Sequence, residues 1–191
     1  MKFLRKINKG LILTLIVITA LVIYLVQLEA KRSIQKPEIE KNAKEYIEII
    51  NKYNVANDKE LSEEELKTSR DYIKEEIKPY LIENEYVLEN ETLELANKWT
   101  ELKERKIKSL QRKIQKIKKY VFDGDKVTLT IKCELEVQEI VDEQGTINKQ
   151  TEDVEDTIML NKENDKWKIS YIQLQYPMQI YNEYDTEQVV Y

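Results

Sequence analysis

"KVTLTIKCELEV", residues 126 to 137, decides the fold. Val127, Leu129, Ile131, Cys133, Leu135 and Val137 alternate with Thr128, Thr130, Lys132, Glu134 and Glu136. A period of two puts one face of a strand against a core and the other in water. Cys133, the one cysteine of the chain, takes the fourth of the six inward positions, and the chain has no histidine. A lone thiol has no partner for an internal disulfide, and without an imidazole no obvious base activates it. It reads as a small apolar core residue.

Turn signals on both sides extend the strand into a meander. Asp123-Gly124 upstream is a hairpin signal, and Gly145 in "DEQGTINK" marks the next turn. A further strand is expected from about Asn148 to Leu160, and "ENDK" then turns into "WKISYIQLQY". There Trp167, Ile169 and Tyr171 share one face and Ile172, Leu174 and Tyr176 the other, a parity switch that predicts a bulge near Tyr171. The tail beyond Pro177, with Tyr181, Tyr184 and Tyr191, shows no periodic pattern. The segment before the hairpin, "KERKIKSLQRKIQKIKK", carries Leu110, Ile114 and Ile117 at helical spacing, and Val121 just beyond it continues the pattern. A helix is read to near Arg112 and a strand from near Ile114.

Helical patterns precede the strands. Pro37 suits a first helical turn, and Ile39, Ala43, Tyr46, Ile50 and Tyr53 follow at spacings of three and four. Ser62-Glu63-Glu64-Glu65 is a capping box, after which Leu66, Ile73 and Ile77 lie on one face until Pro79. "YLIENEYVLE" reads as a short strand or a turn. Asn90 with Glu91 is the expected start of a third helix carrying Leu95, Trp99 and Leu102.

The first 28 residues follow a different rule. Lys2, Arg5, Lys6 and Lys9 stand without an acid in the first ten, and residues 11–28 carry no charge. At about 1.5 Å per residue that stretch spans about 27 Å as a helix, close to the hydrocarbon thickness of a bilayer. The basic flank assigns residues 1–10 to the cytoplasm and everything from Glu29 outward to the other side. A cleaved signal peptide fits less well, because the run is long and Leu28-Glu29-Ala30 lacks the small-residue pattern of a cleavage site. Lipidation needs a cysteine just after the run, and Cys133 is a hundred residues away.

The domain reading is therefore a cytoplasmic tail at 1–10, a transmembrane helix at 11–28, a linker at 29–36, an extracytoplasmic domain at 37–176 and a tail at 177–191. The fold class is α+β, with three helices after the transmembrane one packed on a curved antiparallel sheet of four to five strands. Setting the four N-terminal basic residues aside leaves 27 basic against 36 acidic residues, a formal charge of −9 that argues against nucleic acid as a partner. Three glycines provide no phosphate-cradling loop, and no cofactor or metal site is expected. Glu152, Asp153, Glu155 and Asp156 lack calcium-loop spacing and read as solvated strand residues.

The order of helix, helix, short strand, long helix and four strands, with "NDKWKI" opening the last strand, resembles the nuclear-transport-factor-two-like superfamily, over residues 37–176. That resemblance implies a conical shell of helices and sheet. Its enzymes work with an acid or base inside the cone, commonly Asp or His, and no such residue carries over here. Its membrane-anchored members include assembly subunits of type IV secretion and conjugation machines, which share the layout of short tail, one membrane helix and outer domain.

Two readings of function follow. One is a membrane-anchored protein-interaction or assembly module without enzymatic activity, with the bilayer, other envelope proteins and further copies of itself as partners. The other is a small-ligand sensor or vestigial enzyme using the cone, lined by Trp99, Cys133, Trp167 and Tyr171, for which filling of the core is the plainer role. Nine Lys or Arg between Lys103 and Lys119 form a basic stripe. Lys113, Lys116 and Lys118 are its candidates for contact with an anionic surface, against a plainer role in cross-strand pairing with Glu134, Glu136 and Glu139.

Overall fold

The structure, a computed structural model, describes residues 9–56 and 62–176. The expected tails at 1–10 and 177–191 fall outside these residues except for Lys9 and Gly10. The chain divides into two units, Met1–Ile39 and Glu40–Tyr191. Among the described residues three helices and four strands follow in order: α1 (Lys9–Tyr53), α2 (Glu63–Ile77), α3 (Glu85–Glu104), β1 (Ile107–Asp123), β2 (Lys126–Ile140), β3 (Ile147–Glu163) and β4 (Lys166–Gln173).

In the first unit the apolar stretch is helical, and its large side chains from Leu11 to Val26 are 45–65% exposed. It is long and apolar enough to cross a membrane. The hydroxyls of Thr14 and Thr19 donate to the carbonyls of Gly10 (3.0 Å) and Leu15 (2.8 Å), so both polar groups are satisfied within the helix itself. Residues 29–36, read as a linker, are helical too. Pro37 lies inside α1 and not in a first turn. With no N–H it removes the bond to the Ser33 carbonyl, and the helix continues through it.

In the second unit the rest of α1 buries Ala43, Tyr46, Ile47, Ile50 and Tyr53, the stripe read from spacing. The Ser62 capping box closes α2 as expected, with Glu65 Oε2 accepting from the Ser62 N–H at 2.9 Å. Helix α3 starts earlier than the sequence signals placed it. Asn84, not Asn90, is its cap, accepting from the N–H groups of Tyr86 and Val87. Just before it Leu81 makes a single isolated parallel bridge to Ile169, so where the expected order has a short strand the chain has a turn and one bridged residue, and "YLIENEYVLE" from Glu85 on is the start of α3.

The sheet is antiparallel in the order β1-β2-β3-β4 and is not closed. All six inward residues of β2 are buried, Leu129, Ile131, Cys133 and Leu135 completely. Full burial of one such Leu or Ile side chain contributes about 2 kcal/mol. Gly124, with φ +58°, opens the β1–β2 turn, and Asn164 and Asp165, at φ +48° and +62°, form the β3–β4 turn. Asn and Asp accept the left-handed region more readily than other side chains.

Strand β1 begins at Ile107, and α3 ends at Glu104, so the helix expected to run to Arg112 stops eight residues sooner. Register shifts in β1 fall between Ile107 and Ser109, Ile114 and Lys116, and Ile117 and Lys119. The expected irregularity in β4 is present: Met159 pairs with Tyr171 and Leu160 with Ile169, leaving Ser170 as the extra residue.

Candidate functional site

The bulge at Ser170 decides what faces the interior. Before it Trp167 and Ile169 are buried; after it Tyr171 is 49% exposed, while Ile172, Leu174 and Tyr176 are half-buried. These three line a cavity of about 230 Å³ together with Ile50 and Asn54 from α1 and Glu91, Glu94, Leu95 and Lys98 from α3. The polar members on α3 share a face because they stand three and four residues apart.

None of the four residues expected to line a cavity is among those lining this one. Trp99 is half-buried on α3. Trp167 is 1% exposed, meets Phe122 edge to face with ring centres 6.4 Å apart, and its carbonyl accepts from Asn42 Nδ2 at 2.7 Å. Cys133 is fully buried, and its thiol is pushed up to about 12 by burial first, then by the charge and hydrogen bond of Asp156. That is the opposite of nucleophile activation. Tyr171 points to the other side of the sheet from Trp167, because the extra residue reverses the alternation.

The cavity residues carry the unusual electrostatics. Tyr46 Oη donates to Glu91 Oε2 at 2.8 Å. The Glu91 carboxyl is pushed up to about 7, by burial first and then by the charge of Glu94, with the Tyr46 bond acting in the other direction. Tyr46 itself is raised well above its ordinary value by burial and by Glu91. Lys98 is 7% exposed and pairs with Glu101 Oε2 at 2.9 Å. Burial alone would lower its ammonium; Tyr176 and Glu101 more than offset this and raise it.

Behind the cavity lies a buried ion pair. Arg112 Nε is 3.3 Å from Asp156 Oδ2, and both side chains are wholly shielded from solvent. The pair holds both backbone groups of one residue: Gln175 N–H donates to Asp156 Oδ1 at 2.8 Å, and Arg112 Nη2 donates to the Gln175 carbonyl at 2.9 Å. The Arg112 guanidinium lies 4.4 Å from the centre of the Tyr176 ring, and Lys98 Nζ 4.9 Å from it. Residues 174–176, of which Leu174 and Tyr176 line the cavity, are thus held by cations from β1 and α3 and by Asp156 of β3.

The basic stripe resolves residue by residue. Lys113 and Lys116 are exposed on β1. Lys113 stands opposite Glu134, as the hairpin reading requires, but Lys116 stands opposite Lys132. Lys118 pairs with Glu155 and Lys132 with Asp153 at 2.6 Å, so the acids that meet these lysines come from β3. The carboxylates at 152–156 alternate between faces: Asp156 is buried while Asp153 and Glu155 are exposed. Among the described residues no three His, Cys, Asp or Glu side chains come together as a metal site.

Sequence reasoning missed Tyr46, Glu91, Glu94, Lys98, Arg112 and Asp156. The one signal open to it was the Glu91, Glu94, Lys98 spacing.

No family model and no curated protein matches this chain. Among solved structures it is similar to the intermembrane space region of the chloroplast protein ARC6, with a TM-score of 0.42 at 9% identity, over 71% of this chain and 92% of that one. It is also similar to a designed NTF2 protein, with a TM-score of 0.33 at 16% identity, over 56% of this chain and 87% of that one. Likenesses of this size say nothing of activity or partners.

Proposed function

We propose that this chain is a single-pass membrane protein whose unit from Glu40 onward works outside the cytoplasm as a binding module for other envelope proteins. A multi-component secretion or conjugation machine is the kind of assembly it suits. One observation carries the reading: an 18-residue apolar window of α1 has no part buried, whereas the second unit packs a core of its own. A stretch of that length and composition fits a bilayer, which supports the anchor reading. Binding is favoured over catalysis because Cys133 is sealed in the core and Trp167 fills space. The cavity, at about 230 Å³, also falls below the roughly 300–1,000 Å³ of drug-sized ligand sites.

The test is crosslinking of the tagged full-length protein in native membranes, then purification, with protease added to the outer face of spheroplasts in parallel. Recurrent membrane partners in near-stoichiometric amounts and digestion from outside are the expected results. A protein recovered alone overturns the assembly reading, and a protected domain overturns the topology.

A further inference from the structure

The cavity in the second unit has two chemically opposite ends. Tyr46 marks the first, where its hydroxyl reaches Glu91, with Glu94 one turn further along α3. Among the described residues no cation stands among the charges acting on Glu91; its charged neighbour there is another carboxylate, Glu94. A desolvated acid beside a second acid is a place where a positive group gains most.

Lys98 marks the second end, seven residues and about 10 Å along the helix from Glu91. Lys98 and Arg112 share the Tyr176 ring there. Asn51 of α1 binds the Arg112 backbone on both sides, accepting from its N–H and donating to its carbonyl, each at 2.7 Å. Asn54, one turn beyond Asn51, is 1% exposed, lines the cavity, and its amide nitrogen has no hydrogen-bond partner. A buried donor left without an acceptor costs about 1–3 kcal/mol. An acceptor supplied by a guest removes that cost.

Between the two ends Ile50, Leu95, Ile172 and Leu174 provide an apolar wall. At about 30 Å³ per water the space holds roughly seven or eight waters, which is the size of a small organic molecule. We propose that the cavity binds a small zwitterion, an amino acid of about seven to nine non-hydrogen atoms, with its ammonium at Glu91 and Glu94 and its carboxylate at Lys98 and Asn54. The site is independent of the membrane reading.

The experiment is isothermal titration of the full-length protein in detergent with 4-aminobutyrate and 5-aminopentanoate, and with n-butylamine and butyrate as single-charge controls. At least one zwitterion binds saturably and at least tenfold more tightly than either control. Glu91→Gln and Lys98→Gln each weaken it tenfold or more without altering the circular dichroism spectrum. Absence of saturable binding by both zwitterions, equal binding of a control, or unchanged affinity in folded Glu91→Gln overturns the proposal. Should Glu91→Gln fail to fold, exposed Glu94→Gln takes its place: a loss of threefold or more supports the site, and an unchanged affinity overturns it.

Discussion

Arg112 on β1 and Asp156 on β3 face each other across 3.3 Å with neither side chain open to water, and between them they hold both backbone polar groups of residue Gln175. Taking two charges out of water is costly, and their attraction repays it only when both are present. Arg112→Met therefore leaves a buried carboxylate and costs about 3–5 kcal/mol in chemical denaturation. Replacing both, as Arg112→Met with Asp156→Leu, recovers most of that loss.

Lys113, Lys116 and Lys118 supply the contrast. They are exposed, and exposed ion pairs contribute about 0–1 kcal/mol. Changing all three to Gln shifts unfolding by no more than about 1 kcal/mol, although it removes more charge than the single Arg112 substitution.

Glu91 gives the second unit a pH signature. Its carboxyl titrates at about 7 in the folded protein and near 4.5 when free of its surroundings. The folded state therefore holds the proton more tightly. The contribution is fully present below about 4.5, is lost as pH rises toward 7, and is constant above, a total of about 3 kcal/mol. The ionisable groups facing it are Tyr46 from α1 and Glu94 from α3. Unfolding measured from pH 4 to 8 in wild type and Glu91→Gln checks this: the variant lacks that part of the slope.

Cys133 is inert in the native state. Iodoacetamide at pH 8 leaves it unlabelled, because the thiol is both sealed from solvent and raised to about 12, and labels it once denaturant unfolds the chain. Labelling of the folded protein at the unfolded rate contradicts the core position.

The start of α2 is held by reciprocal bonds between Ser62 and Glu65. Ser62→Ala costs about 1 kcal/mol, read from the denaturation midpoint at unchanged slope.

Where one rule governed a stretch, the sequence was readable. The alternation in β2, the capping box at Ser62 and the apolar run at 11–28 each follow from a single periodicity or a single exchange of bonds. Strand β1 was misread because three register shifts add residues to it. Gln115 and Lys118 are the extra residues of the last two, so Ile114 and Ile117 stand three positions apart on one face and imitate a helix. Asn90 drew the start of α3 away from Asn84 because both are good caps and only tertiary context selects one. The cavity was harder still. Arg112 sits within a basic run and Asp156 within an acidic one, and nothing local tells the buried member of such a run from its solvated neighbours. Glu91 looked like a first-turn acid until the true helix start placed it one and a half turns inside.

The grip on Gln175 also sets an order of events during synthesis. Asp156 and Arg112 are made before the residue they clasp, so a nascent chain that stops short of Gln175 can bring the two charges together but offers them neither of its backbone partners. That clasp is completed only after β4 has been made.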